Sequence, residues 1–133
     1  MLPFPNLTVH DCEIATFWLD ADGILFARSK NVTRTLNNQV AAYNLIRKMI
    51  GEHRVCMIAL TASTTGADQL TEDIREYMAA EMPKLFKAMA VVANTIQESA
   101  PAMKFMNLSN QPVPIAIVGT IEDAREWLKQ YQD

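Results

Sequence analysis

Six apolar residues in succession, Val55-Cys56-Met57-Ile58-Ala59-Leu60, are bounded by polar residues and show no alternation. A run this short is strand-sized, and it has no polar side to turn to water, so it must be covered on both faces. The chain around it supplies the covers. Ahead of it, Leu36, Val40, Tyr43, Leu45, Ile46 and Ile50 recur at helical spacing and Gly51 offers a stop, which predicts a helix over 36–50. Behind it, Thr71 can cap a second helix, with Glu72 and Asp73 in the first turn complementing the helix dipole. Leu70, Ile74, Tyr77 and Met78 face inward in that helix, and Pro83 is expected to end it.

The alternation continues along the chain. Residues 86–93 and 113–118 are further apolar strand candidates, and a less regular helix is expected between them from about 96 to 108, with Ser99-Ala100-Pro101 able to restart it. Gly119 and Thr120 turn into a last helix over 121–131. There Thr120 and Asp123 form a variant capping box, and Ile121, Ala124, Leu128 and Tyr131 share a face with Trp127 beside it. At the start, residues 9–19 alternate loosely as one strand and 24–27 return as its partner. This order predicts a single α/β domain over 1–133: an about five-stranded mixed sheet with an N-terminal antiparallel hairpin, parallel later strands and about four helices.

The hairpin turns on Asp20-Ala21-Asp22-Gly23, which admits two readings. Asp and Gly tolerate the positive φ of tight turns. An apolar strand ending in Asp-x-Asp-Gly is also similar to the motif with which haloacid-dehalogenase phosphatases set a nucleophile beside its acid/base partner. That resemblance implies a Mg²⁺-dependent phosphatase-like hydrolase using Asp20 and Asp22, with Thr61, Lys84 or Lys87, and the late acidic pair Glu122 and Asp123 as further parts. The details depart from it. Ile24 follows where the motif has Thr, and Thr120 stands where Asp is expected after Gly119. The strand returning within four residues favours the turn, which would put both carboxylates in water at the sheet edge, with neither pKa tuned nor a metal shared.

Composition narrows the partners. Half of the 133 residues are apolar and a fifth charged, with a formal net charge of −3, so the chain suits one core and has no general attraction to nucleic acid. Arg28, Lys30 and Arg34 form the one local basic cluster, read as a solvated strand end. Cys12 and Cys56 are expected as buried thiols, and His10 and His53 as surface or strand-end residues without metal-ligand spacing; no cofactor or metal is expected. No apolar run approaches the ~20 residues of a membrane span. The start, Met1-Leu2-Pro3-Phe4-Pro5, lacks the basic end and long apolar region of a secretory signal, which makes a cytoplasmic location the expectation. Frames for Ser or Cys nucleophiles and a Gly-x-Gly-x-x-Gly dinucleotide site are missing from the sequence.

The better site candidate is the polar loop at 61–68, Thr61-Ala62-Ser63-Thr64-Thr65-Gly66-Ala67-Asp68. It follows the buried strand and precedes a helix, which is where open α/β sheets hold ligands and backbone amides favour anions. Ser63, Thr64 and Thr65 offer hydroxyls there, and Gly66 permits a tight backbone.

With this order, Trp18-Leu19-Asp20-Ala21-Asp22-Gly23-Ile24 and Glu122-Asp123-Ala124-Arg125-Glu126-Trp127-Leu128 resemble the opening hairpin and closing helix of small stand-alone bacterial proteins in the SpoIIAA-like, or STAS-like, superfamily. Thr71-Glu72-Asp73-Ile74-Arg75-Glu76-Tyr77 and Ala88-Met89-Ala90-Val91-Val92 resemble its middle helix and following strand. The resemblance implies a non-enzymatic regulatory or protein-interaction module, acting on an unidentified protein partner. In anti-sigma-factor antagonists of that superfamily the corresponding loop carries a phosphorylated Ser, which falls on Ser63, Thr64 or Thr65; Ala62 stands where the usual Asp is expected. Similar layouts also bind lipids, and Met78, Met82, Met103 and Met106 could line an apolar groove, although Met at helical spacing is more often core. A homodimer is expected if the helix at 96–108 exposes an apolar face.

Overall fold

The computed structural model describes residues 8–30, 32–60, 71–95 and 112–132. The expected single strand over 9–19 is two strands. His10–Asp11 (β1) turns back at Cys12, whose N–H donates to the Ala15 carbonyl at 3.0 Å, and pairs antiparallel with Ala15–Leu19 (β2). The polar residues at this corner satisfy one another. Thr16 Oγ1 donates to Asp11 Oδ1 at 2.8 Å, while Lys30 Nζ pairs with the same carboxylate at 2.7 Å and donates to the Cys12 carbonyl at 2.8 Å. That network, rather than hydrophobic period, bends the chain.

β2 then folds onto Leu25–Ser29 (β3), antiparallel, with Leu19 opposite Leu25. Leu36–Ile50 (α1) begins in a full capping box: Thr35 Oγ1 accepts from the Asn38 N–H at 3.1 Å, and Asn38 Oδ1 accepts from the Thr35 N–H at 2.7 Å. It ends where Gly51 adopts φ 66°, a conformation that a side chain would strain. Val55–Leu60 (β4) lies parallel to β3, as its unbroken apolar run demands.

Glu72–Leu85 (α2) enters Phe86–Val92 (β5) with no intervening loop. Pro83 does not end the helix as expected. It sits in the last turn, where it removes one donor, and the chain leaves helical geometry only at Phe86. The start of β5 is irregular, with Val55 opposite Phe86 but Cys56 opposite Ala88. The extra residue lets Phe86 and Ala88 enter opposite faces of the sheet. Ile115–Val118 (β6) is shorter than expected and runs parallel to β5. Ile121–Leu128 (α3) follows, and its tail tightens into a 3₁₀ turn over Lys129–Tyr131. Thr120 Oγ1 caps α3 by accepting from the Asp123 N–H at 3.0 Å.

The sheet therefore has six described strands in chain order, mixed in direction, against the expected five or so; three α-helices are described, and the helix expected at 96–108 lies outside the described residues. Crossovers that always step the same way along a sheet leave their helices on one face. Accordingly α1 and α2 bury Tyr43, Ile46, Ile74 and Met82 against Phe17, Leu25, Met57 and Val91. Arg47 joins the two helices through an ion pair with Glu81. α3 alone covers the other face, with Ala124 and Leu128 set on Cys56, Ile58, Ala88 and Ala90.

Candidate functional site

The parallel strands give the sheet two unlike ends. At the end where they begin lies the Asp20 turn. Gly23 N–H donates to the Asp20 carbonyl at 3.0 Å, and Gly23 takes φ 78° while Ala21 and Asp22 keep negative φ. That is a three-residue hairpin loop closed by a left-handed glycine, so only Gly23 needs the freedom the sequence suggested for Asp as well.

The two carboxylates differ sharply. Asp22 is in water, its side chain 70% exposed, whereas Asp20 is only 6% exposed, contrary to the expectation that both would be solvated at a sheet edge. β1 pairs only with Thr16 and Phe17 of β2, so the cover over Asp20 comes from α3 and not from β1. Asp20 Oδ1 accepts from the Asp22 and Ile24 N–H groups, both at 2.9 Å, and Oδ2 takes Arg125 of α3 at 2.8 Å. Arg125 also reaches Asp22 at 3.3 Å and lies over the Phe26 ring at 5.2 Å, and Trp18 stacks on the same ring with centroids 5.4 Å apart. Both oxygens of Asp20 are thus committed to holding the turn and latching it to the last helix. Thr61 lies outside the described residues. Thr120 and Asp123 begin α3 from the opposite end of the sheet, since α3 follows the end of β6.

That opposite end, where the parallel strands finish, carries the polar candidate. Ser63, Thr64, Thr65 and Gly66 lie outside the described residues, but both anchors of their loop are described: Leu60 ends β4 and Thr71 opens α2. Arg28 pairs with Leu60 across β3 and β4, and it is exposed. The other two members of the basic cluster serve the fold. Lys30 holds the Asp11 corner, and its hydrogen bond keeps the Asp11 carboxyl below the ordinary carboxylate range. Arg34 donates to Gln39 Oε1 at 2.9 Å, and its burial lowers the guanidinium pKa.

Around α2, Thr71 is the first-turn cap by position, but its side chain donates to Asp73 instead of capping an amide, which lowers the Asp73 carboxyl. Met82 is 1% exposed and belongs to the core, with Met78 packed against it; Met103 and Met106 lie outside the described residues. Cys56 is buried as expected, but Cys12 is half-buried in the β1–β2 corner, its Sγ directed to the Ala15 carbonyl at 3.2 Å. His10 is a strand residue and His53 is exposed. Among the described residues no cluster of three His, Cys, Asp or Glu could hold a metal ion, and no helix is long and apolar enough to cross a membrane.

Arg125 is the residue that sequence reasoning missed. Its signal was present only as a basic residue in a helix remote from the turn.

Residues 17–132 match the family described as a domain of unknown function, DUF7793. The chain belongs to that family. The DUF7793 segment takes in the hairpin from Phe17, all four parallel strands and α3, so the Asp20–Arg125 latch and both ends of the polar loop fall within it. No curated protein and no solved structure matches the chain.

Proposed function

We propose that this DUF7793 chain is a STAS-like regulatory module that works through protein contacts. Its working surface is the loop at 61–68, switched by phosphorylation of Ser63, Thr64 or Thr65. The observation that carries the proposal is the position of Arg28: an exposed basic residue paired in strand register with Leu60, the residue from which that loop departs. A phosphate added to the loop is drawn to such a cation, and its dianion adds acceptors that remodel the surface a partner meets. The loop leaves the carboxyl end of β4, and ligand and partner surfaces of open parallel sheets lie beyond the carboxyl ends of the strands, which supports the choice of working surface.

A phosphatase role for Asp20 has weaker support. A nucleophilic carboxylate needs an oxygen free to attack, and both oxygens of Asp20 already accept hydrogen bonds or an ion pair.

The test is affinity capture from the native lysate with the wild-type chain, Arg28→Glu, and the combined Ser63→Ala, Thr64→Ala, Thr65→Ala variant, each eluate examined by intact mass. The wild type is expected to retain a partner and gain 80 Da on phosphorylation, with retention falling at least about tenfold in one of the two variants. Mg²⁺-dependent hydrolysis of p-nitrophenyl phosphate that disappears in Asp20→Asn would overturn the proposal in favour of catalysis.

A further inference from the structure

We draw no further inference here: the strongest candidate, the polar side-chain cluster of Arg34, Gln39 and Tyr43 between the end of β3 and the first turns of α1, serves the fold, since Arg34 donates to Gln39 Oε1 at 2.9 Å and to Ser29 Oγ at 3.5 Å, and among the described residues nothing shows what the buried Tyr43 hydroxyl would bind.

Discussion

Asp20 and Asp22 are two residues apart and have opposite roles. Asp20→Ala leaves the Asp22 and Ile24 amides and the Arg125 guanidinium without their acceptor, so it is expected to cost about 2–4 kcal/mol in urea unfolding. Asp22→Ala, at a mostly exposed carboxylate with one long contact to Arg125, should cost under about 1 kcal/mol. Equal losses at the two positions would refute the latch. Tyr43 presents the reverse situation. It is 4% exposed and packs edge-on against Phe86, yet its hydroxyl is the one buried side-chain polar atom found without a hydrogen-bond partner among the described residues. Burial also raises its pKa. Tyr43→Phe therefore removes a desolvated group and keeps the ring, and the melting temperature is expected to stay level or rise, with a gain up to about 1 kcal/mol.

Among the elements, α1 is the one whose boundaries were written most plainly in the chain. Its helical spacing and Gly51 marked the limits 36–50, and the structure agrees with them. The Thr35–Asn38 box was not read, because Asn in place of the usual Glu or Gln is a weak signal without coordinates. Thr35→Ala is expected to cost about 1 kcal/mol. Asn38→Ala should cost more, about 2 kcal/mol, since Asn38 is also buried and donates to the Thr33 carbonyl at 3.0 Å. Equilibrium denaturation of both variants checks that order. The β1–β2 corner was hidden for a related reason. Loose alternation over 9–19 cannot distinguish one strand from two, and the bend rests on Lys30, far along the chain. Pro83 misled for a local one: a helix breaker in the last turn costs a single hydrogen bond, and tertiary packing of Met82 and Leu85 holds the turn in place.

For the whole molecule, the two faces of the sheet differ in the size of their side chains. β5 offers Ala88 and Ala90 to α3 but Phe86, Met89 and Val91 to the α1–α2 side. Small residues let the short helix α3 lie close, and its own Ala124 is fully buried at the contact. Ala90→Leu is expected to lift α3, cost about 1–3 kcal/mol, and weaken the Arg125 latch at the same time. A loss of the Arg125–Asp20 ion pair, read from the Arg125 side-chain resonances, would connect the two faults. An unchanged latch with the full stability loss would mean that the helix repacks locally.

Alternation of a doubly covered strand with helical segments was enough, without coordinates, to determine the α/β class, the antiparallel start and the parallel order, because burial on both faces is a local property of each run of side chains. The tertiary structure decided what the polar residues do. Whether Asp20 is solvated or latched, and whether Arg28 or Arg34 remains exposed, depend on partners distant in sequence and on the phase of a strand against its neighbour. Hydrogen bonds and ion pairs are directional and need both atoms in place, so no pattern along one segment could have assigned them.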